Sequence, residues 1–304
     1  MKGEKTNNMN QTRTAYIAIV GRPNVGKSTL LNTLLGEKIA IVSNKPQTTR
    51  NRILGILTEG NDQYVFLDTP GIFTPRNALG EFMVRTADAS LGDSDAVILM
   101  VDATSKISAV EEKIIENIKR TGISSILAVN KTDLATPEQI AICLQTYSER
   151  HSFDAYVPLC AKNGKNAKAL LSECEKFLVD SEWLFPEDMM TDQPMRQVTA
   201  EIIREKILRT LDKEIPHGVA VVIEEFKEED TLVSIRAEIF CEKESHKGII
   251  VGKGGEGLKR IGSYARADLE KMLEKKVYLN LWVKVKENWR DNARAVGNFG
   301  YQDE

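Results

Sequence analysis

Apolar residues run in short blocks through the first half of the chain and recur at helical or alternating spacing through the second. Tyr16–Val20, Gln63–Leu67, Ala96–Val101, Ser125–Val129 and Tyr156–Leu159 are blocks of four to six residues that predict buried strands. After the first block, leucines from Leu30 to Leu35 recur at helical spacing up to Gly36, a suitable C-cap, and another helix is expected near Pro137. Strands alternating with helices predict an α/β unit with a mostly parallel sheet flanked by helices. In the second half, Val198, Ile202, Ile203, Ile207, Leu208 and Leu211 mark an amphipathic helix. Val219–Ile223 and Leu232–Phe240 follow as strands around a solvated charge run, Lys227–Asp230. A glycine loop, a helix carrying Leu258, Ile261, Ala265, Leu269 and Leu273, and a strand over Val277–Val285 complete an α+β unit. Between the halves, Asp180–Met195 loses its period and mixes acids with proline, Trp183 and Phe185. A linker with two apolar anchors fits this better than an aromatic platform for nucleic acid, because acids flank it on both sides. The expected division is a flexible tail over 1–13, a first domain over 14–180, a linker over 181–195 and a second domain over 196–304.

Chemistry enters at the first strand–helix junction. Gly21-Arg22-Pro23-Asn24-Val25-Gly26-Lys27-Ser28-Thr29 fits the GxxxxGK[ST] phosphate loop and stands between a strand and a helix, where that loop works. Gly21 and Gly26 let backbone N–H groups turn inward, and the helix start adds partial positive charge. Lys27 is expected to reach the outer phosphates and Ser28 to hold Mg²⁺. Asp68-Thr69-Pro70-Gly71-Ile72 closes the next predicted strand, about forty residues after Lys27. It is a good turn sequence, but its position is that of an aspartate that holds Mg²⁺ through water, with the Gly71 N–H on the γ-phosphate. Asn130-Lys131-Thr132-Asp133 ends a later strand. The Asp133 carboxylate can accept both N–H groups of guanine, Asn130 can bond the purine edge and loop backbone, and the Lys131 stem can cover the ring. The same stretch can also cap the helix near Pro137. Cys160-Ala161-Lys162 follows the last short strand. Between the first helix and the second predicted strand, the polar stretch Pro46–Arg50 is either a plain loop or a switch whose threonine meets Mg²⁺ and the γ-phosphate.

Composition adds little and charge layout adds more. The 304 residues suit two domains, and a 42% hydrophobic, 28% charged composition is that of an ordinary globular protein. No apolar run approaches the roughly 18 residues of a spanning helix, and the polar start has no signal-peptide core. Cys143, Cys160, Cys174 and Cys241 lack metal or disulfide spacing, and His151, His217 and His246 share none either. Free thiols in a reducing cytoplasm are expected. Net charge is −3, yet Lys247–Arg290 holds eleven Lys/Arg against five Asp/Glu, whereas Glu201–Glu244 holds seven against twelve. The basic share surrounds Gly252-Lys253-Gly254-Gly255. There a glycine loop between helices admits a nucleic-acid backbone, with Lys253, Lys259 and Arg260 at hand for phosphates. A glycine hinge is the plain alternative.

The five nucleotide motifs, from Tyr16 to about Leu178, resemble the translation-factor-related GTPases, with Cys160 where that group usually has serine. In that group the Ala161 N–H meets guanine O6, and Thr49, directly before Arg50, is favoured over Thr48 as the switch threonine. Ile72 stands where signalling GTPases place a water-orienting glutamine. The resemblance therefore implies Thr49, Asp68 and Gly71 as the catalytic set, with the water-positioning group unassigned, and Ser28, Thr49 and Asp68 around Mg²⁺. It also associates Asn24 with K⁺. The second half looks like a type II KH domain. A GTPase followed by one KH domain resembles the bacterial Era family across nearly the whole chain. The stretches that carry it are Gly21–Ser28, Gln47–Arg50, Arg204–Lys206, Val251–Gly255 and Leu281–Lys286. That resemblance implies a GTP-hydrolysing switch that binds the 3′ end region of 16S ribosomal RNA and assists maturation of the 30S subunit. It implies a cytoplasmic protein, taken to be a monomer, with peripheral contact at the inner membrane, although no lipid signal or strongly basic amphipathic helix appears. The rival readings are an RNA-binding scaffold stabilised by nucleotide, separable only by turnover, and a metabolic phosphotransferase, disfavoured by the guanine-reading motif.

Overall fold

The structure is a computed structural model that describes residues 11–212 and 215–302. The chain forms two compact units. The first takes the chain up to residue 40, residues 52–72 and 87–192; the second takes 41–51, 73–86 and the chain from 193 onward.

The first unit is built on β1 (Arg13–Val20), α1 (Lys27–Leu35), β2 (Ile53–Glu59), β3 (Asp62–Asp68), α2 (Ala78–Gly92, begun in the second unit), β4 (Ala96–Asp102) and α3 (Ala109–Thr121). It continues through β5 (Ser124–Asn130), α4 (Pro137–Ser148), β6 (Ala155–Pro158), α5 (Ala167–Cys174) and β7 (Val179–Asp180). The sheet runs β2-β3-β1-β4-β5-β6, with β7 antiparallel to β1. Pairing is parallel throughout the centre, and among the described residues the strand pairs β2 with β3 and β7 with β1 run antiparallel. Both faces are covered, which is why the strands read as continuous apolar blocks. Ile17 and Ile19 face the helix residues Leu30, Leu31 and Leu170, whereas Ala18 and Val20 face Ile114, Ile118 and Tyr147. In such a sheet, ligands bind beyond the carboxyl ends of the strands.

Several elements had no signal in the pattern. β2 carries Gly55 in its interior, which weakens a strand reading. The glycine is there because α1 lies on it: a Cβ would stand 2.4 Å from Leu31 Cδ1. The helix at Pro137 is capped by Thr136 in a capping box with Gln139, so Asn130–Asp133 is not its cap. The expected tail and linker need correction. Residues 1–10 of the tail lie outside the described residues, but Arg13 already opens β1 and makes paired 2.7 Å bonds to Asp62. Most of the linker belongs to the first unit. Gln63 holds Leu184 and Phe185 by their backbones, Phe185 packs on the core, and Ile56 N donates to Met190 O at 2.8 Å.

The second unit contains α6 (Met195–Thr210), β8 (Ala220–Glu228), β9 (Leu232–Cys241), α7 (Glu244–Val251), α8 (Glu256–Leu273), β10 (Lys276–Val285) and α9 (Ala293–Asn298). Its sheet runs β10-β9-β8, with β10 parallel and β8 antiparallel to β9. One sheet face closes on the apolar side of α6 and α8 through Ile203, Ile207, Ile261, Ala265 and Leu269. A separate small core surrounds Trp289, which is fully buried, and takes in Leu79, Phe82 and Met83 with Ala220 and Tyr301. This core is what assigns residues 73–86, within the expected first domain, to the second unit.

Candidate nucleotide site and nucleic-acid loop

The phosphate loop leaves β1 through Gly21 (φ 150°) and enters α1 through Gly26 (φ 109°). Both glycines are forced by close approach. A Cβ on Gly21 would lie 2.4 Å from Met100 O, and one on Gly26 would lie 2.3 Å from Asn130 Nδ2. Asn24 takes a left-handed φ of 65° between them. Lys27 is buried and its Nζ donates to Gly21 O and Arg22 O, each at 3.2 Å. Burial pulls its pKa down to about 8, against the pull of Asp68. Arg22 Nε lies 3.3 Å from Glu111 Oε1, and the other oxygen of Glu111 caps α3 at Ser108.

Asp68 ends β3 with no exposed surface, and Ser28 Oγ donates to its Oδ2 at 2.5 Å. An oxygen pair of this kind, hydroxyl against carboxylate at a helix start, is the donor chemistry that suits Mg²⁺. The following turn is tied back: Thr69 Oγ1 donates to Ile19 O at 2.9 Å, and Ile72 N to Gly21 O at 3.2 Å. Gly71 lies against the phosphate loop, where a Cβ would stand 2.7 Å from Pro23 N. The Ile72 side chain packs on the core.

Asn130 joins three loops. Its Nδ2 donates to Val25 O at 2.7 Å, its Oδ1 accepts from Ala161 N at 2.9 Å, and its own carbonyl accepts from Ala103 N. Of the two roles expected for Asn130, the geometry uses the loop backbone, and the Ala161 N–H expected at guanine O6 is engaged with it. Thr33 Oγ1 holds the same turn through Ala161 O at 2.7 Å. Lys131, at φ 63°, donates to Asp102 Oδ2 at 2.7 Å. Burial pushes Asp102 up, but bonds from Lys131 and Thr104 outweigh it and hold the carboxyl below its ordinary range. Asp133 is exposed, and the buried Cys160 thiol donates to its Oδ1 at 3.1 Å. Thr132 is tied to Leu159 O, and Lys162 is exposed. Asp102 and Glu111 escaped the sequence reading as site residues. The signals for them were a carboxylate closing a buried strand and a Ser-x-x-Glu capping box.

Thr49 is buried and belongs to the second unit, within residues 41–51. This segment is clasped at many points inside that unit. Arg50 is 1% exposed; its guanidinium donates to Val219 O (2.7 Å), His217 O (2.8 Å) and Tyr301 Oη (3.0 Å). It also lies 5.8 Å from the Trp289 ring centre. Arg204 donates to Thr48 O, and Glu205 accepts from Val42 N at 3.1 Å.

In the same unit, α7 ends at Gly252, and Lys253–Gly255 form a single tight turn before α8. Gly252, Gly254 and Gly255 all have positive φ, and among the described residues nothing beyond the chain neighbours lies within 4 Å of a Cβ built on Gly254 or Gly255. Gly257, which the pattern did not mark, allows α7 and α8 to meet: a Cβ there would stand 2.7 Å from Ile250 O. Lys253, Lys259 and Arg260 are exposed.

Residues 16–131 match the family model described as 50S ribosome-binding GTPase, and residues 214–290 match the KH domain model. The chain is 47% identical to GTPase Era of Clostridium kluyveri over 95% of its own length and 99% of that relative. It is 44% identical to GTPase Era of Ruminiclostridium cellulolyticum, covering 95% and 98%. Among solved structures it is similar to Era in complex with MgGDPNP and nucleotides 1506–1542 of 16S ribosomal RNA (TM-score 0.93, 42% identity, 96% of this chain and 100% of that one). It is similar in the same measure to a variant of Aquifex aeolicus Era bound to GDP and AlF4⁻ (TM-score 0.92, 42% identity). With its GTPase domain, its C-terminal KH unit and its likeness to these relatives over nearly the whole chain, this GTP-hydrolysing chain belongs to the GTPase Era family.

Proposed function

We propose that the chain uses GTP hydrolysis to time its hold on single-stranded RNA near the 3′ end of 16S ribosomal RNA, and so assists maturation of the 30S subunit. The observation that carries the nucleotide half is the Asn130 amide, which binds the phosphate loop to the Cys160–Lys162 turn and sets a phosphate cradle beside an exposed Asp133. Gly21–Thr29 would wrap the phosphates, Lys27 would exchange its two loop carbonyls for phosphate oxygens, and Asp133 would accept from guanine. Ser28 and Asp68 would hold Mg²⁺, which supplies neutralisation of charge on the phosphate oxygens. The Gly71 N–H and Thr49 would respond to the γ-phosphate. K⁺ beside Asn24 belongs to the same reading and is tested by comparing turnover in K⁺ and Na⁺ salts. The RNA half rests on the open glycine turn among exposed cations, on the KH match and on the RNA held by the similar structure. Action as a cytoplasmic monomer, with peripheral inner-membrane contact, completes the proposal.

The test measures binding of labelled GTP, GDP and ATP, and phosphate release, with and without a single-stranded RNA from the 16S 3′ end. Guanine selectivity, phosphate release from GTP and RNA binding that differs between GTP-analogue and GDP forms are expected. RNA binding indifferent to nucleotide would sink the switch. Gly254→Asp places a carboxylate in open space at a φ of 60° that aspartate tolerates. It should abolish RNA binding while leaving the melt and GTP binding unchanged.

A further inference from the structure

We propose that the outer face of the three-stranded sheet, along β10, is a second single-stranded RNA subsite in which Tyr278 and Trp282 stack nucleobases. The proposal rests on the reading of Lys253–Gly255 as an RNA clamp and extends the path of the strand beyond it.

The alternation of β10 fixes which side chains face outward. Val277, Leu279, Leu281 and Val283 all pack into the core beneath α6 and α8. Tyr278 and Trp282, offset by one, therefore stand on the opposite face, and they are 62% and 59% exposed. Aromatic rings left this open on a sheet are unusual, because the protein gives up their burial. This unit does bury such rings elsewhere: Trp289, and Phe240 at one end of the same face, are covered by the small core. That cover does not extend along β10. Residues four apart on a strand stand about 13 Å apart, so one RNA strand lying along β10 meets both rings.

The charges nearby favour a polyanion. Lys276 and Lys284 share this face with the two rings at the ends of β10, and Arg236 is the register partner of Asn280 between them. Against these three cations stands Glu238, opposite Trp282 and paired with Lys284. Farther across, at β8, Glu225 pairs with Lys227 and with Arg236 itself, so the net positive charge of this face rests on β10, where Lys276 and Lys284 stand against Glu238 alone. This strand is also the edge of the sheet, and its inner side touches α8, where a Cβ on Gly262 would stand 3.4 Å from Leu281 Cδ1. The helix that starts at the glycine turn and the aromatic face thus lie on the two sides of one strand edge. Stacking of bases on exposed rings beside a basic track is the general chemistry of single-strand binding.

The test uses the full chain and two single-stranded RNAs, one of about four nucleotides that fills only the clamp and one about three times longer. Trp282→Ala should weaken the longer RNA about tenfold and leave the short one unchanged. Trp282→Phe should restore most of the loss, and the dependence of affinity on salt should keep its slope because no phosphate contact is removed. Tyr278→Ala should behave likewise, and Gly254→Asp should abolish binding of both RNAs. The melt of Trp282→Ala should match the parent, since the ring is exposed. If the short RNA binds while Trp282→Ala leaves the longer one unaffected, the subsite is wrong and the clamp stands. If neither RNA binds the parent, the clamp fails and the subsite with it. If Trp282→Ala abolishes self-association in sedimentation without changing RNA affinity, the face belongs to a second copy and the proposal is overturned.

Discussion

Replacing Asn130 by alanine separates two roles that the residue type alone leaves joined. In the fold its amide is 4% exposed and spends both ends on backbone, Val25 O at 2.7 Å and Ala161 N at 2.9 Å. Truncation leaves a carbonyl and an N–H buried near the mouth of the site with no partner. Each such group costs about 1–3 kcal/mol, and some relief comes from water entering the space, so a total of about 3 kcal/mol is expected. For a unit of this size that corresponds to roughly 2–4 °C per kcal/mol, or about 6–12 °C in the melting point of the first unit. The melt is followed by calorimetry without nucleotide, and GDP affinity is measured beside it with a fluorescent analogue. Both should fall, because the loops that Asn130 ties are those that hold phosphate and base. ADP affinity should not rise, since Asp133 is untouched. A variant that melts like the parent yet loses GDP affinity would refute the strut and make Asn130 a reader of the purine edge.

Asp133→Asn exchanges an exposed carboxylate for an amide that offers a donor to guanine donors; GTP affinity should drop about tenfold or more and xanthosine triphosphate should gain, and an unchanged GTP preference would remove Asp133 as the base reader. Lys27, with its pKa near 8, predicts a pH effect of opposite sign on stability and binding. Between about pH 8 and the unfolded value of 10.5 the unfolded chain binds more protons, so nucleotide-free stability gains as pH rises. Nucleotide affinity needs the ammonium, so it is full below pH 8, falls as pH rises through it by up to roughly tenfold per unit, and is accompanied by proton uptake in titration calorimetry. An affinity flat from pH 7 to about 9.5 would contradict the buried cation. Arg50→Lys cannot span Val219 O, His217 O and Tyr301 Oη with one ammonium; losing two of the three bonds should cost the second unit about 2–4 kcal/mol, seen in a denaturant melt, and no measurable loss would deny the buried guanidinium its role.

Local chemistry determined much of this protein. Gly21–Ser28 between an apolar strand and a leucine helix, Asp68 and Asn130–Asp133 at strand ends, and a glycine turn between two periodic helices are patterns whose meaning lies within a few residues. A strand buried on both faces and a turn that demands positive φ leave marks in any sequence. The predicted strands accordingly appear with their boundaries shifted by a few residues, and the α/β and KH-like orders follow from them. What lay beyond the sequence depends on partners far along the chain. Gly55 obscured β2 because the reason for it, Leu31, comes from a helix packed across the sheet. Thr136, not Asn130, caps α4, and Asn130 is free to bind Val25 and Ala161 only once three loops have converged. Arg50 looked like one more polar loop residue, yet its partners are 167 to 251 residues away. The same holds for residues 41–51 and 73–86, which chain order assigns to the first domain and packing assigns to the second unit. Burial of Trp289 and exposure of Trp282, seven residues apart in one basic segment, follow from what covers each ring: Trp289 lies past the end of β10 inside the small core, whereas Trp282 stands on the uncovered face of β10. Pattern fixes an element and its faces; only the packed chain decides which long-range partner each face and each polar atom finds.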